Sequence, residues 1–439
     1  MKYYITKPTA PAMPSLKGKG LETIRLLLSQ ASSDMHAPML PMLFPALGAR
    51  FTKTEFLYPS GQWMELCGQM GLLLAESGNN KGQLGFIIGA IHRDSLQKDK
   101  QDLARYLEYQ KIVKQQSKNK DLPAEVELPA RILANDTTRA GFLKAQMANE
   151  SHGGLTAFIE LPEIELLNTL CGGKKQVMPL LRLVFDRQLW QARRGTTDGI
   201  TGSATLRSCL CISSTPERAR EYLKGNLLDG TVGRLIFSYK PRSENRDGNI
   251  PVIGDFSDDF YQKLNQCLAR IDLCTGRHVI PQLNKLIKRL AQDMAEMADL
   301  MDNDIMWDYS KRSLISSFKA GCIMWALNNQ EWTHAMQNVC EYLVYRDLWS
   351  KQIVLGTMLK EGDTISTDNT KSGPANMLDS IEGDTFSEQQ LDSLRESMGK
   401  PRGAATNRQL RVWTARGFIE YSPQTGLYTK TETYLKRTR

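Results

Sequence analysis

Residues 75–82, AESGNNKG, constrain the fold more than any other stretch, because they form a polar turn between two apolar segments. Upstream, MELCGQMGLLL reads as a buried strand; downstream, QLGFIIGAIHRD has the apolar spacing of a helix. A turn joining strand to helix can cradle phosphate with backbone N–H groups, and a Lys there adds a point charge. Lys81 holds that position. The phosphate-loop pattern has Gly where Asn80 stands and Ser or Thr where Gly82 stands. Asn tolerates a left-handed backbone, whereas Gly82 offers no hydroxyl to magnesium. The candidate nucleotide-binding residues are Ser77, Gly78, Asn79, Asn80, Lys81 and Gly82. The alternative is an ordinary polar turn with an exposed Lys.

Further strands are expected at RILAND (131–136), LTAFIEL (155–161), RSCLCISS (207–214) and GRLIFSY (233–239). Helices follow three of them: one from Thr138, then PEIELLNTL, then the Pro-initiated PERAREYL. This alternation predicts an α/β fold with a parallel sheet. A helix is also expected near Gly20, followed by an apolar stretch at 37–50 broken by Pro38, Pro41 and Pro45, and by a long exposed helix within 95–120. After Ser257 the spacing is helical throughout, and 362–383 is polar and rich in Gly, Pro, Ser and Thr. The expected organisation is an N-terminal extension (1–34), an ATPase-like core (35–256), a helical domain (257–361), a linker (362–383) and a C-terminal domain (384–439).

The apolar and charged fractions, 41% and 24%, exclude bulk disorder, and a net charge of +8 is a mild hint of an anionic partner. The eight cysteines show no C-x-x-C spacing and the five histidines are scattered, which suggests buried thiols and no zinc cluster. No apolar run reaches the length of a membrane span, and residues 1–20 lack a signal-peptide core, so a cytoplasmic location is expected.

Nucleotide hydrolysis needs carboxylates at a neighbouring strand end to hold magnesium and orient water. LTAFIELPEIELL offers Glu160, Glu163 and Glu165, of which Glu163 and Glu165 lie just past the strand and are the candidate metal residues. Acidic decoration of a helix N-terminus accounts for them equally well. Ser213, Ser214 and Thr215 end the next strand, where a polar group senses phosphate or caps the Pro216 helix. Arg234 follows Gly230 and Gly233; it either neutralises charge on a transferring phosphoryl group, in cis or from a neighbouring subunit, or is a surface strand residue.

At the C-terminus, FSEQQLDSLRESMG and 407–416 read as two helices, followed by short strands FIEYS and GLYTKT around a Pro-Gln-Thr-Gly turn. That order is the order of a winged helix. Arg402, Arg408, Arg411, Arg416 and Lys430 make it basic and are the candidate DNA contacts. Winged helices also dock proteins.

Together these stretches resemble the helicase-like, virulence-associated-E-type family of unknown function from bacterial, Bacteroides-type mobile elements. The resemblance runs over roughly residues 35–360. APMLPMLFPALGARFTKTEFLYPSG, LLLAESGNNKGQLGFIIGAIHRD, LTAFIELPEIELL, LLRLVFDRQLWQARR and CLCISSTPERAREYL with DGTVGRLIFSY carry it. It implies a P-loop ATPase core of the RecA/AAA+ kind, with ATP and Mg2+ as cofactors. It places nucleotide contact on Lys81, metal or water roles on Glu163 and Glu165, a sensor role on Thr215, and charge stabilisation on Arg193 and Arg234. It also implies DNA as a partner, a homo-oligomer such as a ring, and a helicase-like or replication-initiation role. Asn80 for Gly and Glu165 for Asp depart from the family pattern. The alternative is a catalytically inactive DNA-binding or adaptor protein on a degenerate ATPase fold.

Overall fold

Five apolar segments associate into one sheet. The computed structural model describes residues 9–115, 128–192, 201–224, 230–242, 256–301, 304–360, 377–432 and 434–435. The strands are β1 (Met70–Leu74), β2 (Ile132–Leu133), β3 (Ala157–Leu161), β4 (Ser208–Ser214) and β5 (Leu235–Tyr239). All neighbouring pairs are parallel, in the order β2-β3-β4-β1-β5. Parallel strands covered on both faces read as continuous apolar runs, and every residue of β1 is buried. Met70 pairs with both Leu210 and Leu235, so the carboxyl ends of β4, β1 and β5 lie together.

Helix α1 (Ser33–Gly48) crosses β1, β4 and β5. It is continuous through Pro38, Pro41 and Pro45, where the sequence suggested a broken segment. Pro41 has no N–H to give the carbonyl of Ala37, and the Tyr342 hydroxyl donates to that carbonyl at 3.2 Å. Burial supplies the remainder: twelve of the sixteen residues are buried. Gly71 permits the close approach, since a Cβ there would meet Met42 Sδ at 2.8 Å. Helix α2 (Gln83–Ile91) follows the loop after β1.

Both edges of the sheet are closed by carboxylates. At β2, Asp99 Oδ2 accepts from the N–H groups of Arg131 (2.9 Å) and Ile132 (2.8 Å). At β5, helices α3 (Pro281–Met301), α4 (Asp304–Leu327) and α5 (His334–Lys360) take over. On α5, Asp347 Oδ1 accepts from Phe237 N at 2.7 Å, Ser350 Oγ accepts from Tyr239 N at 3.1 Å, and Arg346 donates to the Tyr239 carbonyl. Asp347 Oδ2 takes the Ser313 hydroxyl of α4 and pairs with Lys351 at 2.8 Å. Asp347 and Lys351 are 2% and 0% exposed, so the pair lies out of water.

These contacts alter the expected domain boundaries. Leu21, Ile24, Leu27 and Leu28, the sheet, and helices α3 to α5 share one apolar core. The boundaries at 34 and 257 therefore separate no independent cores, because the β5 edge is completed from α5. A second core holds Phe386, Leu391, Leu410, Trp413, Phe418 and Tyr434. It includes Met377, Leu378 and Ile381, which the linker assignment had left outside. Its elements are Thr385–Phe386, α6 (Glu388–Ser397), α7 (Ala404–Ala415), Ile419–Ser422 and Leu427–Lys430, with the three strands in one antiparallel sheet. The C-terminal unit docks on α3, where Gln409 Nε2 and Trp413 Nε1 both donate to the Asp299 carbonyl, at 2.7 and 3.2 Å.

Removing the Asp347 carboxylate strands the Lys351 ammonium and leaves the Phe237 N–H unpaired. Asp347→Ala should cost about 3–5 kcal/mol in urea unfolding; a loss below about 1 kcal/mol would show the node to be dispensable.

Candidate functional site

In open parallel sheets, ligands bind beyond the carboxyl ends of the strands, where the strand order reverses. Here the chain leaves β1 for β2 at the far edge, returns through β3 and β4, and crosses β1 to reach β5. The loop at 75–82 starts at that switch point. It turns through two left-handed residues, Gly78 at φ 78° and Asn80 at φ 58°. Asn80 adopts the conformation the sequence required of a Gly substitute. Lys81 curls back, and its Nζ donates to the Ala75 carbonyl at 3.0 Å. Burial lowers the Lys81 pKa, opposed by the carboxylates of Glu163 and Glu76. Gln83, the first residue of α2, accepts from Ser32 N at 3.0 Å and so ties the loop to the start of α1.

A carboxylate that spacing does not single out lies beside the helix that follows the loop. Glu160, next to last in β3, lies against the first turn of α2, and a Cβ on Gly85 would stand 2.8 Å from Glu160 Oε1. Burial raises its pKa. The available signal was a lone acid inside the apolar run AFIEL. Glu163 is exposed and within electrostatic reach of Lys81. Glu165 does not join them: the Ile164–Leu166 turn points it to Arg218, with which it pairs at 2.9 Å.

At the end of β4, Ser214 is fully buried and its Oγ has no hydrogen-bond partner among the described residues. Its carbonyl accepts from Ala75 N at 3.2 Å, which joins the two strand ends. Thr215 caps the Pro216–Leu223 helix, accepting from Arg218 N at 3.4 Å, so its oxygen is already engaged. His92, at the end of α2, stacks on Phe158, and burial depresses its pKa to about 3, which keeps it neutral.

Arg234 lies at the opposite end of the sheet. It immediately precedes β5, whose first residue pairs with Met70, so it sits about 16 Å along the strands from the loop. Its guanidinium is held by Asp186 (2.6 Å) and the Gly230 carbonyl (2.9 Å), beside a cavity of about 430 Å³. A role in cis is thereby removed. Arg193 lies outside the described residues.

The C-terminal candidates divide. Arg408 and Arg411 are exposed on α7. Arg402 pairs with Glu396 at 2.8 Å, and Arg416 pairs with Asp299 at 2.7 Å. Lys430 is a correction: it is 9% exposed and donates to the Ile381 carbonyl at 2.7 Å, so its charge is spent inside the module. Among the described residues no group of three or more His, Cys, Asp or Glu could hold a metal ion, and no helix is long and apolar enough to cross a membrane. Comparison with models of known protein families finds no match, and comparison with curated proteins finds none.

Two stability tests follow from the geometry. Asn80→Gly should be close to neutral, whereas Asn80→Val should cost about 1–2 kcal/mol in chemical denaturation; equal stabilities would mean that the loop relaxes out of the left-handed turn. For Glu160, the folded chain keeps a proton that the unfolded chain has lost once the pH passes the ordinary value of 4.5. Stability therefore falls as the pH rises through the raised folded pKa. Glu160→Gln should melt at a higher temperature than the natural protein at neutral pH and at the same temperature in acid. An unchanged Tm at neutral pH would count against a desolvated carboxylate.

Proposed function

We propose that this chain is a nucleotide-binding, DNA-handling protein with a P-loop core of the RecA/AAA+ kind and a C-terminal winged helix. The observation that carries this reading is the loop after β1, at the switch point of an all-parallel sheet, with Asn80 left-handed and Lys81 folded back on Ala75. Backbone N–H groups of the loop and the start of α2 would surround phosphate, and Lys81 would exchange the Ala75 carbonyl for a phosphate oxygen. Glu160 and Glu163 would be the carboxylates to hold a magnesium ion. Gly82 contributes no ligand, so the contacts would run through water. The ion, when bound, neutralises charge between phosphates. Glu163, exposed at the strand end, is placed to orient water. Arg234 would serve a neighbouring subunit's nucleotide, in a homo-oligomer such as a ring. The resemblance to helicase-like proteins of mobile elements supports a role in DNA unwinding or replication initiation. Exposed Arg408 and Arg411 support DNA contact by α7.

A second reading keeps nucleotide or DNA binding and lacks turnover. It is favoured by the missing hydroxyl at Gly82 and by the engagement of Glu165 with Arg218. The deciding measurement is ATP binding and hydrolysis, with and without DNA. DNA-stimulated turnover lost in Lys81→Ala, and lost in Glu160→Gln and Glu163→Gln with nucleotide binding retained, is the expected result for a motor. Nucleotide binding without turnover in the natural protein would leave the inactive scaffold, and no nucleotide binding at all would overturn the P-loop reading.

A further inference from the structure

The face of α7 that carries Arg408 borders a cleft against α3 and α4. Ala405, Arg408, Gln409, Val412 and Arg416 of α7 line a cleft of about 340 Å³, facing Ala298 and Asp299 of α3 and Trp307 of α4. Gln409, Trp413 and Arg416 hold the two walls together through Asp299. A duplex read in its major groove lies along a recognition helix, in a groove about 12 Å wide. A cleft of a few hundred Å³ accommodates a unit the size of one nucleotide. The α7 surface in this arrangement is therefore shaped for a single strand.

The chemistry of the lining agrees. Arg408 is exposed and carries no ion pair among the described residues. Trp307 is half-buried, and Lys311 Nζ stands 5.0 Å over its ring. Lys311 lines the separate cavity beside Arg312, so the Trp307–Lys311 contact joins one lining residue of each hollow. Two carboxylates beside the cleft are already paired: Asp299 with Arg416 at 2.7 Å, and Asp308 with Lys311 at 2.8 Å. An aromatic platform beside cations that follow a backbone is the recurring device for single-stranded nucleic acid, with each base stacking and each phosphate neutralised.

We infer that the cleft between α7, α3 and Trp307 binds single-stranded DNA, with Trp307 stacking a base and Arg408 contacting the adjacent phosphate. The inference rests on the reading of this chain as a DNA-handling protein and is independent of ATP turnover.

The test is fluorescence polarisation of the full chain with labelled oligo-dT and with a duplex of the same length, over a salt series. Oligo-dT should bind more tightly than duplex. Trp307→Ala should weaken it about tenfold, and Trp307→Phe should restore most of that loss, which a folding defect would not do. Arg408→Ala should reduce the slope of log affinity against log salt by about 0.7. If DNA binds but neither Trp307→Ala nor Arg408→Ala alters it, or if duplex binds as tightly as oligo-dT, the cleft is not the site and the DNA reading survives elsewhere. If neither form of DNA binds, both fall. Binding of poly-glutamate as tight as that of oligo-dT would make the cleft a site for acidic peptides and also overturns the inference.

Discussion

A parallel sheet leaves a row of unpaired N–H groups along each edge, and this fold depends on how those groups are satisfied. Asp99 closes one edge and Asp347 the other, each with a backbone N–H of the edge strand on its carboxylate. The Asp347 side is the more demanding, because the carboxylate is buried and must be matched by Lys351 and Ser313. Helices α4 and α5 are thereby fixed against β5. With β5 held, β1 sits between β4 and β5 with its carboxyl end open, and the loop at 75–82 emerges where phosphate chemistry is possible. The candidate site is thus positioned by polar contacts at the sheet margin as much as by the apolar core.

Local chemistry was legible in the sequence. RSCLCISS followed by Thr-Pro predicted a buried strand and a capped helix, and both are present. Thr138 likewise caps the helix that follows β2, accepting from Gly141 N at 3.2 Å. Asn80 was read as a residue able to take a left-handed turn, and it does. These features depend on residues a few positions apart, so spacing alone determines them.

What was not legible depends on partners distant in the chain. The periodicity of 281–360 reports that one helical face is buried but not what covers it, so the sheet and helices looked like separate domains. Three prolines in α1 break the helix rule locally, and only Tyr342 and the surrounding core explain their tolerance. Among the acids, spacing favoured Glu163 and Glu165 because they follow the strand. The short turn at Ile164–Leu166 sends Glu165 to Arg218, while Glu160 remains beside α2. Arg234 shows the same limit: its distance from the loop follows from strand direction, which composition does not encode.

The closed margins also restrict how copies of this chain can come together. Side chains on the edge N–H groups of the five-stranded sheet make those edges poorer hydrogen-bond templates for a foreign strand, which disfavours growth by strand addition there. Association of copies at these margins would use side chains and loops. Such contacts can be rearranged without unravelling the core.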